Sequence, residues 1–541
     1  MATTIFEVLG GLMLFLFGIN FMEKGLKSFS PHKTKKILKL FTKNKVFGMF
    51  TGLSVTAIIQ SSSATTVMLV GLVSAGMIAF EATLPVILGA NIGTTITAQL
   101  IAFKLTKYSL MIVSFGGLFL IFLSKNEKLK QFGQIVFGFG MLFHGLNIMA
   151  SSMKAYENAE YVRQLFISFG QYPIYAVLLG IIATVMFQSS SVTIGITITL
   201  ASTGFIPIES AVPIILGENI GTCITAILAS INKKTPAKRV AYSHALFNTI
   251  GVIIALCFLQ YFVRFATWSS TNIARQIANT HTFFNICITL LFLPFTDYFA
   301  LLVKKILPEK DLEDDASKPK YLDDNLLETP SLAITAITYE ISRILEITQT
   351  MIDIVYKSIE SKDPADLAKI EIIEENADNL QKTVIEYLVK LNAKKLDENQ
   401  ANIATALSRL VNDAERSADK GFNLSKLTQR LINNQLTLSD QACDELKNIY
   451  EKISQMVDTT QKAFRDSEYD LTKKIYLLEN EINYLVREYN DAHMTRLCSG
   501  ICQPEAGYIF TEILEQFEKI GDDMNNFADA IKEKIAPHNN Q

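Results

Sequence analysis

The first 303 residues of this chain contain the same pattern twice, with a constant spacing of 128 residues. The tetrad Gln-Ser-Ser-Ser occupies residues 60–63 and again 188–191, and Asn-Ile-Gly-Thr follows each copy, at 91–94 and 219–222. A match at one fixed offset indicates an internal duplication. The sequence is therefore expected to fold as two related units.

Both tetrads lie within apolar segments of membrane-spanning length. Glu81 is the only charged residue between Val46 and Phe103, whereas charged residues become frequent after Lys304. Runs of about 20 apolar residues can cross a bilayer, and several occur before that lysine and none after it. The overall content of 49% hydrophobic residues therefore averages a membrane domain with a soluble one.

These contrasts predict an all-α chain in three parts. The predicted parts are a polytopic membrane domain at 1–303, with repeats at 5–131 and 132–303, a polar linker at 304–330, and a soluble domain at 331–541. In the soluble domain apolar residues recur at helical spacing, as at Ile334, Ile337 and Ile341, and glycine and proline are scarce. This domain also contains a doubled pattern, so we expect an antiparallel bundle of two three-helix units.

The serine-rich tetrads interrupt segments that would otherwise form continuous helices. Backbone groups at such breaks need protein or a water-filled cavity, so each tetrad is predicted to lie in a re-entrant or broken helix. Segment 23–45 contains eight lysines, whereas its counterpart 150–172 has only Lys154 and Arg163 as basic residues. Because basic residues collect on the cytoplasmic side, the two repeats are expected to be inverted, with the soluble domain in the cytoplasm. Secondary transporters use this arrangement.

The tetrads have the chemistry of an ion site without a fixed charge. Hydroxyl and carboxamide groups donate and accept hydrogen bonds, and helix N-termini add N–H donors, which suits an oxyanion. The same oxygens suit a hard cation, and small residues can also simply allow close helix packing. Neither core segment contains lysine or arginine, so a bound anion would need co-bound cations. The residues alone thus predict a carrier of an anion together with cations.

At these motifs the sequence is similar to the type II sodium–phosphate cotransporter family. The doubled Gln-Ser-Ser-Ser and the two Gly-x-Asn-Ile-Gly-Thr segments carry the resemblance, which covers about residues 5–303. Two His-x-x-Phe-Asn segments, beginning at His244 and His281, fit the bacterial members. The resemblance implies sodium-coupled movement of inorganic phosphate, with the serine clusters meeting at the phosphate site.

The resemblance also assigns functions to individual side chains. The residues expected to contact phosphate are Ser61, Ser62, Ser63, Ser189, Ser190 and Ser191. The residues expected either to bind sodium or to hold the unwound turns in shape are Gln60, Thr66, Asn91, Gln188, Thr193, Asn219 and Thr222. Glu218 replaces the alanine of the first copy, and could reach a sodium site or water. His244 and His281 are expected to hydrogen-bond neighbouring backbone.

In the soluble domain, acidic residues recur four positions apart. Glu415 and Asp419 form one such pair, and Glu518 and Asp522 form its counterpart. This part of the chain resembles the PhoU phosphate-regulatory family, and the resemblance implies that these four residues bind a divalent or iron-type metal. The alternative is a solvated acidic face relieved by Arg416 and Lys519.

The leading interpretation is a sodium-driven phosphate carrier of the cytoplasmic membrane with a cytoplasmic regulatory domain. The alternatives are an uncoupled exporter of phosphate or another oxyanion, and a membrane phosphate sensor that transports nothing. Expected partners are phosphate, sodium, the lipid bilayer, other copies of the chain and phosphate-signalling proteins, but not nucleic acid. An enzyme is not expected, since no nucleophile–base arrangement or Gly-x-x-x-x-Gly-Lys loop is present.

Overall fold

The computed structural model describes residues 2–29, 44–103, 105–123, 125–154, 172–309 and 316–535. Within these ranges every regular element is helical, which confirms the predicted all-α fold. The chain divides into two compact units, Met1–Asp311 and Leu312–Gln541. Most of the two loops that carried the orientation argument, 23–45 and 150–172, lies outside the described residues.

The first unit contains fourteen α-helices within the described ranges. They are α1 (Ala2–Phe29), α2 (Lys45–Ile59), α3 (Ser62–Ser74), α4 (Phe80–Ile101), α5 (Ser109–Phe122), α6 (Glu127–Lys154), α7 (Pro173–Phe187), α8 (Ser190–Ser202), α9 (Ile208–Gly221), α10 (Ile224–Ser230), α11 (Thr235–Cys257), α12 (Leu259–Ser269), α13 (Ile273–Phe292) and α14 (Thr296–Ile306). Among the described residues of this unit, six stretches are long and apolar enough to cross a membrane, judged by length and composition.

The duplication is visible in the helices themselves. The bounds of α7 and α8 lie 128 residues after those of α2 and α3, the same offset as the sequence motifs. After each pair of helices a glycine with positive φ, Gly76 or Gly204, makes the turn into the next helix. Because the same sequence pattern directs the same breaks and turns, the two copies share one local fold.

Each tetrad separates two short helices, as predicted for a broken or re-entrant segment. Helix α2 has 15 residues and α3 has 13, and α7 and α8 have the same lengths. At about 1.5 Å per residue, neither member of a pair spans a hydrocarbon core of about 30 Å. The tetrads therefore lie where the helices end rather than on a continuous membrane-spanning helix.

Glycines allow the long helices to approach one another closely. Helices α1 and α6 pack along their length, and a Cβ added at Gly18 or Gly145 would lie less than 3.0 Å from backbone atoms of the other helix. Gly89 makes the corresponding contact between α4 and α2, and Gly217 makes it between α9 and α7. Small residues at such crossings are typical of helices that pack within a membrane.

In its described residues, 316–535, the second unit is a bundle of six long helices. They are α15 (Pro330–Ser361), α16 (Ala368–Asn392), α17 (Glu398–Asn433), α18 (Asp440–Arg465), α19 (Thr472–Cys498) and α20 (Pro504–Ala530). Ile337, Ile341 and Ile344 are fully buried in its core, which confirms the helical spacing of apolar residues. The helices form two successive sets of three, as the sequence predicted.

Structure extends into the predicted linker at both of its ends. Helix α14 continues through Ile306, and a 3₁₀ helix at Asp324–Glu328 precedes α15. Leu326 and Leu327 of this short helix are buried, and Leu327 belongs to the core of the second unit. The segment before α15 is therefore part of the helical bundle, while residues 310–315 lie outside the described part of the chain.

Candidate functional site

Both tetrads line one cavity of about 190 Å³ in the first unit. All eight tetrad residues contribute to its wall, together with Thr94, Phe187, Val192 and, from α1, Leu16, Ile19, Asn20 and Glu23. The six serines predicted to contact phosphate therefore lie together, although half of them are 128 residues from the other half in sequence. The first residues of two helices, α3 and α8, also line the cavity.

The serine hydroxyls of the cavity are mostly without protein partners. Ser61 caps α3, because its Oγ accepts a hydrogen bond from the Ala64 N–H at 3.1 Å. Ser189 occupies the same position before α8 but makes no side-chain capping bond. Within the described residues, no hydrogen bond is formed by the hydroxyls of Ser62, Ser63, Ser189, Ser190 and Ser191. Polar groups that are buried usually have partners, so these hydroxyls are available to a bound ligand.

The glutamine that begins each tetrad adopts an unusual backbone conformation. Gln60 has φ 59° and Gln188 has φ 52°, in the left-handed region that costs a residue with a side chain about 1 kcal/mol or more. A threonine pair bridges each break: Thr56 Oγ1 donates to Thr65 Oγ1 at 3.0 Å, and Thr184 Oγ1 donates to Thr193 Oγ1 at 2.9 Å. The repeated strain and the repeated bridge hold both breaks in one geometry.

The side chain of Gln60 contributes to that geometry. Its Nε2 donates to the Ala57 carbonyl, and its Oε1 accepts a hydrogen bond from Thr97 Oγ1 at 2.7 Å. Gln188 is exposed at the equivalent position. Of the residues expected to bind sodium or shape the turns, these two glutamines are the ones that line the cavity.

The other five residues of that group do not line the cavity. Thr66 Oγ1 donates to the Ser62 carbonyl at 2.9 Å, and Thr222 Oγ1 donates to the Glu218 carbonyl at 2.9 Å. Asn219 Nδ2 donates to the Ile215 carbonyl at 2.8 Å. Sodium binding at Thr66, Asn91, Thr193, Asn219 and Thr222 stays a prediction, and it requires a position apart from the serines.

Asn91 belongs to a buried polar network between α4, α9 and α11. Its Oδ1 lies 3.2 Å from His244 Nε2, and its Nδ2 donates to Asn248 Oδ1 at 3.2 Å. Asn248 Nδ2 lies 3.3 Å from Cys223 Sγ, which in turn donates to the Asn219 carbonyl at 3.3 Å. The network links the two Asn-Ile-Gly-Thr segments without passing through the serine cavity.

The prediction that both histidines hydrogen-bond neighbouring backbone was wrong. His244 contacts the Asn91 side chain through Nε2, and its Nδ1 has no hydrogen bond within the described chain. His281 has no hydrogen bond in the described residues on either ring nitrogen, but its Nε2 lies 3.3 Å from Glu218 Oε1. The apolar surroundings of a helical bundle offered few backbone groups that were not already paired within helices.

Sequence reasoning missed two cavity residues on α1. Asn20 and Glu23 lie on the cavity wall. Asn20 lies in the segment 17–22, which resembles 144–149 in sequence, but nothing in that pattern shows which face of α1 meets the tetrads. Glu23 is an acid, and the described residues that line the cavity include no lysine or arginine. The described lining therefore supplies no basic side chain to a bound anion.

In the second unit, the acidic residues predicted to bind metal face other acids. The carboxyl of Glu415 interacts with those of Asp378 and Asp419, and Glu518 interacts with Asp522. Among the described residues, no group of three or more His, Cys, Asp and Glu side chains is arranged to hold a metal ion. Metal binding at Glu415, Asp419, Glu518 and Asp522 therefore stays a prediction.

The basic residues offered as relief for these acids pair elsewhere. Arg416 binds Asp413 at 2.6 Å and the buried Asp523 at 3.0 Å, and Lys519 binds Glu515 at 2.5 Å. Asp523 also accepts hydrogen bonds from Ser417 and Lys420. The repulsion at Glu415 is consequently not offset by Arg416, and burial together with Asp419 and Asp378 raises the pKa of Glu415 to about 7.

This raised pKa predicts a pH-dependent stability. The folded chain binds the proton of Glu415 more tightly than the unfolded chain does. The contribution of this proton to the free energy of unfolding is therefore complete below the ordinary pKa of 4.5, and it is lost as pH rises through about 7. Glu415→Gln, which keeps the uncharged form, should therefore raise the melting temperature at pH 8 and leave it unchanged at pH 4.5. Thermal unfolding followed by circular dichroism with a metal chelator present checks this.

The control is Glu375→Gln, which neutralises an exposed acid on the neighbouring helix α16. It should have little effect at either pH. Equal melting temperatures of Glu415→Gln and the unchanged protein at pH 8 would show that the carboxylates of Glu415, Asp378 and Asp419 do not repel one another as described.

Each of the two units matches the model of a known protein family. A family model described as Na⁺/Pi-cotransporter matches residues 14–151 and again 151–292, and a model described as PhoU domain matches 341–428 and 446–531. Each model thus matches twice, in agreement with the two duplications. The solved structure of PhoU from Pseudomonas aeruginosa is similar at a TM-score of 0.36 and 14% identity, over 38% of this chain and 97% of that one.

Relatives are similar over different parts of the chain. "Uncharacterized protein YqeW" of Bacillus subtilis is 37% identical over 46% of this chain and 80% of its own length. "Putative inorganic phosphate export protein YjbB" of Salmonella typhimurium is 23% identical over 91% of both proteins. "Sodium-dependent phosphate transport protein 2A" of Ovis aries is 34% identical over 90 residues, 16% of this chain and 14% of that protein. The chain therefore belongs to the Na⁺/Pi-cotransporter family, whose members are phosphate transporters rather than enzymes, and it carries PhoU domains in its C-terminal part.

Proposed function

We propose that this chain carries inorganic phosphate across the cytoplasmic membrane together with sodium ions, with phosphate bound in the serine cavity. The observation that supports this most strongly is the convergence of both tetrads on one cavity. Five serine hydroxyls without partners in the described structure can bond to phosphate oxygens, and the N-termini of α3 and α8 add backbone N–H donors.

The charge of the cavity supports coupling to a cation. Its described lining includes Glu23 and no lysine or arginine, so the described residues offer a phosphate dianion no basic side chain as a counter-charge. Removing a lone ion from water costs several kcal/mol even after the protein relaxes, and an opposite charge bound with it offsets much of this. Sodium ions that enter with phosphate would supply that charge, and the name of the Ovis aries relative favours sodium as the cation.

The duplicated breaks also support movement between two states. We propose that the two repeats are inverted in the membrane, so that rocking one against the other opens the cavity to each side in turn. The soluble unit would then lie in the cytoplasm, as the lysine-rich segment 23–45 indicates. Cysteine accessibility at residue 317, just before the bundle, tests the orientation. In a chain whose six native cysteines are replaced by serine, a membrane-impermeant thiol reagent should label Ser317→Cys only after the cells are opened.

Transport assays separate the proposal from its alternatives. The purified protein in sealed vesicles should accumulate radiolabelled phosphate when an inward sodium gradient is imposed, and much less when potassium replaces sodium. A phosphate sensor would move nothing, and an uncoupled carrier would respond to phosphate alone. Uptake that is equal with and without the sodium gradient would contradict sodium coupling.

Export is the second candidate for the physiological direction. It is favoured by the Salmonella typhimurium relative, which matches 91% of this chain and is named as a phosphate export protein. Cells that lack their other phosphate carriers, loaded with labelled phosphate and then diluted, distinguish the two directions. Faster loss of label on expression of this chain would indicate export, and faster gain in the uptake experiment would indicate import.

The PhoU domains are proposed to regulate the membrane domain. Deleting residues 331–541 should leave sodium-dependent phosphate flux in vesicles within about twofold of the intact chain, because the cavity lies wholly in the first unit. In cells the same deletion should abolish the response of flux to internal phosphate. Flux measured before and after phosphate loading checks this, and an unchanged response would contradict a regulatory function.

A further inference from the structure

Glu218 is a buried acid that the serine cavity does not use. Its side chain is 1% exposed, which removes the possibility that it reaches water, and it does not belong to the cavity wall. Neither carboxylate oxygen accepts a hydrogen bond within the described chain. The first repeat has Ala90 at this position, so the charge belongs to one repeat alone.

The surroundings of Glu218 provide little positive charge. Helix α9 packs against α7, α8, α11, α12 and α13, and the first two of these contain no charged residue. The basic side chains on the other three are Lys238, Arg239, Arg264 and Arg275. Arg239 binds Glu309 and the Leu307 carbonyl, and Arg275 binds Gln99. Among described side chains, only His281 lies within 4.0 Å of the carboxylate as a potential cation.

Polar side chains lie about one helical turn from Glu218 and from His281 in sequence. Thr222 directly follows the last residue of α9, and its hydroxyl donates to the backbone carbonyl of Glu218. Asn285 is one turn beyond His281 on α13 and is 2% exposed. Asn219 follows directly in sequence, and its backbone carbonyl accepts a hydrogen bond from Cys223, which connects it to Asn248 and Asn91. A buried carboxylate beside an imidazole, with hydroxyl and amide side chains about one turn away in sequence, offers the kinds of group that bind a cation.

We propose that Glu218 is the charged ligand of a monovalent cation site between α9 and α13, separate from the serine cavity. One carboxylate matches one positive charge, whereas a divalent cation normally takes several carboxylates. The cation is sodium if the proposed cotransport is correct, and on that point the inference rests on the proposed function. The acid gives the second repeat a sodium position that the first repeat, with Ala90, lacks.

Thermal stability tests the site without requiring transport. A ligand that binds the folded state raises its melting temperature, so the purified full-length chain should melt at a higher temperature in sodium chloride than in choline chloride. Glu218→Gln should remove most of that difference and should raise the sodium concentration for half the effect by about tenfold or more. Glu209→Gln, at the exposed start of the same helix, is the matched control and should keep the full sodium response.

Binding of radioactive sodium to the same proteins gives the second readout. Glu218→Gln should bind less sodium than the unchanged protein, while its melting temperature in choline should be equal or higher, because an unpaired buried charge has been removed. If the glutamine variant does not fold, Glu218→Asp, which keeps the charge on a shorter side chain, should fold and show a weakened sodium response.

Three outcomes distinguish the cation site at Glu218 from the proposed cotransport of sodium and phosphate. Full sodium stabilisation and binding in Glu218→Gln would place the cation elsewhere and overturn the inference, while sodium-driven uptake by the unchanged protein would still support the proposed function. Stabilisation by acid rather than sodium, lost in Glu218→Gln, would show that the position holds a proton and would also overturn the inference. Sodium binding that depends on Glu218, without sodium-driven uptake, would support the site and contradict cotransport.

Discussion

Replacing Gly217 with alanine is expected to prevent the membrane unit from folding. A Cβ at this position would lie less than 3.0 Å from the carbonyl oxygen of Val177 on α7, a backbone atom that cannot rotate away. Overpacking usually costs about 1–3 kcal/mol, and a backbone clash at a helix crossing is expected at or above the upper end of this range. Size-exclusion chromatography of a fluorescent fusion should show little folded Gly217→Ala protein.

The first repeat contains the matched experiment. Gly89 makes the equivalent contact with the Met49 carbonyl, and Gly89→Ala should be as damaging as Gly217→Ala. Gly10→Ala is the control, since no atom outside its own helix lies within 4 Å of the added Cβ. Normal folded yield of both crossing variants would show that α2 and α4, and α7 and α9, are further apart than described.

Replacing Ser62 or Ser190 with alanine is expected to weaken phosphate binding strongly. Both serines are buried, both line the cavity, and neither hydroxyl has a protein partner in the described structure. A hydrogen bond to a charged group contributes about 1.5–3 kcal/mol, so each variant should raise the KM for phosphate by about tenfold to a hundredfold. Initial rates of labelled phosphate uptake at saturating sodium measure this, and the double variant should show no detectable uptake.

Ser54 provides the control for this prediction, and Ser61 provides a third variant inside the cavity. Ser54→Ala changes an exposed residue of α2 outside the cavity and should leave the KM unchanged. Ser61→Ala removes the cap of α3 as well as a cavity hydroxyl, so it should also lower stability by about 1 kcal/mol. A KM for phosphate that is unchanged in both Ser62→Ala and Ser190→Ala would exclude the tetrads as the phosphate site.

Much of the fold of the first unit could be predicted, because nearby residues determine each helix break and the same sequence pattern occurs twice. The breaks after Ile59 and Phe187 follow from serine-rich sequence in apolar helices, and the common offset implied one geometry for both. The meeting of the tetrads in one cavity was implied by the family resemblance, and it agrees with the cost of leaving polar groups in hydrocarbon. Each of these inferences depends on residues that are near one another in sequence or related by the repeat.

Features that depend on packing between distant helices could not be predicted in this way. The sequence did not show that α1 places Asn20 and Glu23 at the cavity, since no motif fixes the rotation of that helix. It also did not show that Asn91 turns toward His244 and Asn248, away from the serines. The repeat suggested symmetry, but side chains outside the shared motif determine which neighbours each copy meets.

The same limit applies to charges in the PhoU domains. Arg416 directly follows Glu415 in sequence, which suggested that it would offset the charge of that acid. Instead, the guanidinium of Arg416 binds the buried Asp523 of α20. A contact between residues that are more than a hundred positions apart is invisible to local periodicity. Acidic spacing alone therefore predicted the cluster and not its counter-charges.

The central claim is that phosphate and sodium are carried together by one chain whose two repeats share a cavity. Its most direct test imposes a phosphate gradient, with no sodium gradient and the membrane potential clamped, across vesicles containing the purified protein and radioactive sodium. We expect phosphate to drive sodium in the same direction, and Ser190→Ala to abolish both fluxes at low phosphate. Phosphate movement that leaves the sodium distribution unchanged would contradict the account.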